Sequence, residues 1–150
     1  MAADQALIDA IDQVIAYFNA RRMDLPDGFF DRQTQFVING ATFESLLSTA
    51  PNDPLVMMLA RGPAGYRFSA KALQHAVPDA KLQRGDVTAE DPSTVRTSVW
   101  LSGKLRGTSE PVNALVDVTL RLGQAGQVEI AEAVIDPAIL QSIREARVKA

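Results

Sequence analysis

Apolar residues recur every three to four positions at the start of this chain and every second position in its last third. From Asp4 to Met23, Leu7, Ile11, Val14, Ile15 and Phe18 share one stripe, while Asp9, Asp12, Gln13 and Asn19 lie outside it. That spacing predicts an amphipathic helix. The early acids Asp4, Asp9 and Asp12 and the late Arg21 and Arg22 suit its dipole. Leu25-Pro26-Asp27-Gly28 then breaks the chain, Phe29 to Arg32 reads as a single helical turn, and Thr34 to Asn39 before Gly40 reads as a short strand. Thr42, Glu44 and Ser45 open a further helical turn. Asp53-Pro54 is a good start for a helix through Leu59, although the run Leu55-Val56-Met57-Met58-Leu59 also fits a buried strand. The helix opening at Gly62-Pro63 carries Tyr66, Ala70, Leu73 and Val77 on one stripe and stops at Pro78.

Beyond Ala80 the period becomes two. Thr94 to Arg106 sets Val95, Thr97, Val99, Leu101 and Leu105 against Arg96, Ser98, Trp100, Ser102, Lys104 and Arg106. Val112 to Leu122 repeats the alternation, Gly123-Gln124-Ala125-Gly126 makes a hairpin turn, and Val128 to Ile135 returns. A charged tail follows Asp136-Pro137. The order predicts an α+β fold: N-terminal helices packed on one face of a strongly bent antiparallel sheet that closes around a pocket.

Composition narrows the class. The 150 residues suit one domain spanning 1–150, and 47% hydrophobic with 22% charged content is globular. A net charge of -3 argues against a nucleic-acid partner, which would need clustered Lys and Arg. With no cysteine there is no disulfide framework or thiolate metal site, and the single His75 cannot build a zinc site alone. Acidic residues interrupt the apolar N-terminus, and no run approaches the ~20 apolar residues of a membrane span. The expectation is a soluble, cytoplasmic protein without membrane partner, metal or cofactor. Gly62-Pro63-Ala64-Gly65 lacks both the Lys-Ser/Thr ending of a phosphate loop and dinucleotide spacing.

Six short stretches, in this order, carry a resemblance. They are Phe18-Asn19-Ala20-Arg21 before Asp24-Leu25, Gly62-Pro63-Ala64-Gly65, and Ala76-Val77-Pro78-Asp79-Ala80. Leu105-Arg106-Gly107-Thr108, Leu120-Arg121-Leu122 and Ile135-Asp136-Pro137 complete the set. Together the chain resembles the nuclear transport factor 2-like superfamily, and within it the SnoaL-like polyketide cyclases and ketosteroid isomerases; only 41–61 fits poorly. The resemblance implies a cystatin-like α+β cone whose helices and curled sheet enclose a pocket, paired into dimers across the sheet. The isomerases it resembles use a tyrosine on the first helix, a base ending the first strand and a neutral aspartic acid on a later strand. Those positions fall here on Val14, on or beside Asn39, and on Val118. Asn39 cannot accept a proton at neutral pH, and Asp117, beside Val118, belongs to the opposite face. A further histidine or aromatic position falls on Ala131 or Glu132. On this registration the proton-transfer side chains are missing.

The remaining candidates for chemistry are Asn39, Tyr66, Glu129 and Glu132. Tyr66 lies on an inward stripe, and one of the two glutamates, on opposite faces of a strand, should point inward, where burial would raise its pKa. His75 lies off the stripe near a helix end, and Tyr17 flanks the first helix as a boundary residue. An apolar ligand would be lined by Val14, Phe18, Val99, Leu101 and Val116, together with Val118, Leu120 and Ile135, and would meet Asn39 and Tyr66. Trp100, ringed by Arg96, Ser98, Ser102, Lys104 and Arg106, reads as the anchor of a homodimer interface. Two functions follow. One is a small-molecule binder with an apolar pocket, extending to isomerase, cyclase or dehydratase chemistry on an apolar carbonyl compound. The other is a non-catalytic dimeric interaction or structural protein whose pocket is filled by its own side chains.

Overall fold

The computed structural model describes residues 3–108 and 110–149. Its elements run α1 (Gln5–Asn19), β1 (Phe30–Ile38), α2 (Phe43–Thr49), α3 (Leu55–Met58), α4 (Pro63–Ala76), β2 (Lys81–Asp91), β3 (Thr94–Lys104), β4 (Pro111–Leu122), β5 (Val128–Val134) and α5 (Pro137–Lys149). The fold is α+β, with helices against a five-stranded, curled and unclosed sheet in the order β1-β5-β4-β3-β2. Three pairings are antiparallel and the fourth, β1 with β5, is parallel. The sheet is therefore mixed rather than wholly antiparallel. A parallel neighbour needs a long crossover, and everything from α2 to β4 supplies it.

Local chemistry sets the ends of the elements. Asp4 caps α1 by accepting the Ala6 N–H at 2.9 Å. The helix stops at Asn19, earlier than the apolar pattern predicts, because Arg21 turns left-handed at φ 63°. The Arg21 and Arg22 N–H groups then close back on Phe18 O and Tyr17 O at 2.9 and 2.8 Å, a geometry that usually selects glycine. Here the Arg21 guanidinium offsets the strain by donating to Ala80 O at 2.7 Å and Pro78 O at 2.9 Å. Thr42 and Ser45 form a reciprocal capping box at the start of α2. At the start of α3, Asp53 accepts the Leu55 N–H at 2.9 Å. Segment 41–61 thus resolves as two short helices.

Three elements differ from expectation. Phe29 to Arg32 is not a helical turn: β1 begins at Phe30, whose ring meets Phe29 at 4.7 Å and Phe36 at 5.1 Å, both edge-on. A further strand, β2, lies between the strand predicted at Thr34–Asn39 and the three later ones; it is an edge strand, rich in charge and bulged between Arg84 and Val87. The charged tail is helix α5, started by Asp136, which accepts the Ala138 N–H at 2.8 Å. Leu140 and Ile143 bury its inner face, and an Arg144–Asp53 ion pair ties it to the start of α3.

Two apolar clusters fill the space between helices and sheet. One gathers Phe18, Leu55, Leu59, Val77, Leu101 and Leu140; the other gathers Ile11, Phe29, Leu120 and Val128. Among the described residues no helix is long and apolar enough to cross a membrane.

Candidate functional site

A cavity of about 270 Å³ lies beside the second cluster, bordered by α1, β1, α4 and β2 to β5. That falls a little short of the ~300 Å³ at which sites for drug-sized ligands begin, so the space suits a smaller molecule. From α1 come Ile11, Val14 and Ile15, at the helical spacing that put them on one stripe. Phe29, Phe30, Phe36 and Ile38 supply an aromatic and aliphatic wall, while Val99, Val118, Leu120 and Ala131 close the sheet side.

Of the residues expected to meet a ligand, Val14, Tyr66, Val99, Val118 and Leu120 border this space. Phe18, Leu101, Val116 and Ile135 pack instead in the first cluster, where Phe18 is 2% exposed. Alternation along β3 and β4 identifies the inward face; which end of that face adjoins the cavity depends on where α1 and α4 cross it. Ile11 and Ile15 were legible as stripe partners of Val14. Phe29 and Phe30 were hidden by reading their segment as a helical turn, whereas Phe36 lay in the stretch already read as a strand.

Asn39 stands outside the cavity. At φ 50° its amide faces the main chain of Ile135, donating from Nδ2 to Ile135 O at 2.9 Å and accepting the Ile135 N–H at 2.8 Å. Glu129 is exposed, near Gly123. Glu132 borders the cavity but stands opposite Thr119, itself opposite Arg96, so the pleat carries its side chain to the outer face. There it adjoins a polar cleft with Arg96, Ser98, Asp117 and Thr119. His75 is half-buried in the last turn of α4, its Nε2 without a partner, and it does not border the cavity.

Three hydroxyl-bearing residues border the cavity. Ser69 Oγ donates to Met58 O at 2.9 Å, and Thr97 Oγ1 has main-chain oxygens of Gly85 and Ser98 at 3.4 Å. The Tyr66 hydroxyl is buried and has no partner, and desolvation pushes its pKa up to about 12. Its ring lies 5.9 Å from that of Phe30. On the flank, the Asp12 carboxylate of α1 grips Arg84 of β2, and this hydrogen bond holds Asp12 below the usual carboxylate range. Among the described residues no group of three or more His, Asp or Glu could hold a metal ion. Chemically, the site offers an almost wholly apolar surface, and the Tyr66 hydroxyl is closed off from it.

The opposite face of the sheet is less covered. Trp100 stands across from Leu115, with Val134 on the next strand, and the three are 46%, 41% and 50% exposed. Charges of both signs surround them: Arg96 pairs with Glu90 at 2.7 Å, and Asp117 accepts from Ser98 Oγ at 3.3 Å.

No family model matches the sequence, and no curated protein matches it. Solved structures do resemble the fold. An NTF2-like protein of unknown function from Exiguobacterium is 18% identical with a TM-score of 0.60, over 85% of this chain and 98% of that one. An LEH-like epoxide hydrolase from M. tuberculosis is 12% identical with a TM-score of 0.59, over 95% and 92%. A protein with a ketosteroid isomerase-like fold from Catenulispora acidiphila is 8% identical with a TM-score of 0.56, over 89% and 85%. At such identities the likeness is one of architecture. The helices, the five-stranded mixed sheet and its curl place this chain in the nuclear transport factor 2-like, cystatin-related fold.

Proposed function

We propose that this chain is one nuclear transport factor 2-like domain that binds an apolar small molecule. The ligand would sit against Val14, Tyr66, Val99, Val118 and Leu120. The observation that carries this reading is the cavity of about 270 Å³, whose exposed wall is almost wholly aliphatic and aromatic. An empty space of that kind stays dry and favours apolar guests. Relatives by fold include an epoxide hydrolase and an epoxide hydrolase/cyclase-like enzyme, which supports extending the reading to a cyclase-, isomerase- or dehydratase-like step on an apolar carbonyl compound. Native mass spectrometry of the freshly purified protein, followed by solvent extraction, tests the binding. A bound organic molecule released on denaturation is expected; an empty protein that also takes up no apolar probe overturns the reading.

A second reading rests on a different observation, the exposed Trp100, Leu115 and Val134 on the outer face of the sheet. A homodimer through this face would bury the patch and set Arg96 of one copy near Asp117 or Glu132 of the other, at a rim where charge tunes specificity. A non-catalytic interaction protein would need this surface alone, and the cavity would then be a packing space. Loss of dimerisation without loss of ligand would separate the two roles.

A further inference from the structure

We infer that the stretch Gln5–Ile15 of α1 is a lid on the cavity, fixed at its far end by Phe18–Arg21 and latched to the edge strand β2 by the Asp12–Arg84 ion pair, so that an apolar guest enters between α1 and β2. This rests on the small-molecule reading and adds how its ligand reaches the site.

The two ends of α1 are fastened differently. At the C-terminal end, Phe18 O accepts from Gln74 Nε2 at 3.1 Å, and Asn19 exchanges two hydrogen bonds with the main chain of Leu82, at 2.9 and 2.8 Å. Arg21 donates to Ala80 O and Pro78 O, and Phe18 is buried in the first cluster. Along Gln5–Ile15 the side chains of Gln5 and Gln13 bond within the helix, to Asp9 and Tyr17. Among the described residues, Asp12 alone in this stretch bonds outside it, gripping the Arg84 guanidinium with both carboxylate oxygens.

Apolar packing holds the stretch less firmly than a filled core would. Ile11 is buried in the second cluster, yet Ile11, Val14 and Ile15 all border the cavity. A side chain facing a void forfeits the contacts that atoms there would make, and Val14 and Ile15 are only half-buried. The other walls are tied by main chain. β3, β4 and β5 are joined by ladders, and β1 pairs with β5. The start of α4 is pinned to β1 by the Gly62 N–H on Thr34 O at 2.9 Å.

The latch lies at the seam between α1 and the sheet. Arg84 stands across from Val99 and two residues from Leu82, and both of these border the cavity. The pair is partly exposed, so it holds with the modest strength of a surface ion pair, enough to bias a lid without sealing it. Once released, a helical stretch this short is marginal in water, so opening unwinds it and frees its amides. A guest in the cavity supplies the missing contacts and shifts the lid back to closed.

Hydrogen exchange and fluorine NMR test this. In the wild type the amides of Asp9–Ile15 should exchange as a group, faster than those of Tyr17–Asn19 and of β3 and β4. Asp12→Asn should speed that group about twofold to fivefold, the range a surface ion pair supplies, and leave Tyr17–Asn19 unchanged. The probe is fluorobenzene, since a cavity of ~150 Å³ already admits benzene; at saturation it should slow the group. Its association and dissociation rates should rise together in Asp12→Asn by the same about twofold to fivefold, with Kd nearly constant. The swapped pair Asp12→Arg with Arg84→Asp should restore the wild-type rates. Arg61→Gln, which breaks the Arg61–Glu44 pair away from the lid, should change neither exchange nor probe rates. Exchange of Asp9–Ile15 only through global unfolding, no response to Asp12→Asn, an equal response to Arg61→Gln, or probe rates indifferent to the latch would each overturn the lid while the cavity remains a binding site. If fluorobenzene does not bind the wild type, the small-molecule reading falls and the lid with it.

Discussion

Asn39 and Ile135 exchange two hydrogen bonds across 96 residues of sequence, at 2.9 Å from the amide nitrogen and 2.8 Å to the amide oxygen. The pair fastens the end of β1 to the exit of β5, reinforcing the one parallel pairing of the sheet. Asn39→Ala should therefore cost about 0.5–1.5 kcal/mol of unfolding free energy per hydrogen bond lost, since the bonds are only partly buried, with added strain at φ 50°. Urea titration measures it. Probe binding in the folded variant should be unchanged, and a selective loss of ligand would return Asn39 to the site.

Core and cavity residues should respond in opposite ways. Phe18→Ala empties a packed position and should lose about 3–5 kcal/mol. Val118→Phe places a ring into existing space; it should cost little stability and abolish uptake of an apolar probe. Paired thermal melts and binding titrations separate the two outcomes, and a large stability loss in Val118→Phe would show that the cavity is too small for a ring.

The Asp12–Arg84 pair makes a pH-dependent contribution with a fixed sign. Arg84 lowers the native pKa of Asp12, so the stabilisation is present above the unfolded value near ~3.9 and is lost as pH falls through the lowered native value. Both groups are partly exposed, at 48% and 28%, so the contribution should stay below about 1 kcal/mol and weaken in salt. The stability gap between wild type and Asp12→Asn should be small at pH 7 and close in the acid range. A gap that widens on acidification would contradict this.

Sedimentation should show a dimer at micromolar concentration, and Trp100→Ala should shift it toward monomer. Truncating a central aromatic anchor typically costs ≥ ~2 kcal/mol of binding, about thirtyfold in affinity. A monomeric wild type would remove the interface reading.

Glu129→Gln and Glu132→Gln should both leave any turnover found within about twofold, because removal of a general base costs roughly 10²–10⁴-fold and both side chains stand off the cavity. A severe loss in either would mean that the carboxylate reaches the ligand in the bound state.

The switch from a helical to a two-residue period was enough to separate the N-terminal helices from the long strands. It also named the inward faces of β3 and β4, where Val95, Thr97, Leu101, Ala114 and Leu120 are buried and Trp100 is not. The Gly123–Gly126 turn was equally local, closed by the Gly126 N–H on Gly123 O at 3.0 Å. These features follow from side-chain geometry within a few residues. Other features came from contacts distant in sequence. β1 reaches back to Phe30 because β5 lies beside it, β2 is a strand because it edges β3, and the charged tail is a helix because α4 and the core accept its apolar side. The same limit applied to the site. Periodicity tells which face of a strand is inward but not how far along it a cavity lies, so Val118 and Val116 looked alike until α1 and α4 were set against the sheet. Asn39, chemically suggestive in the sequence, was claimed by the main chain of Ile135, and only the folded sheet brings that partner within reach.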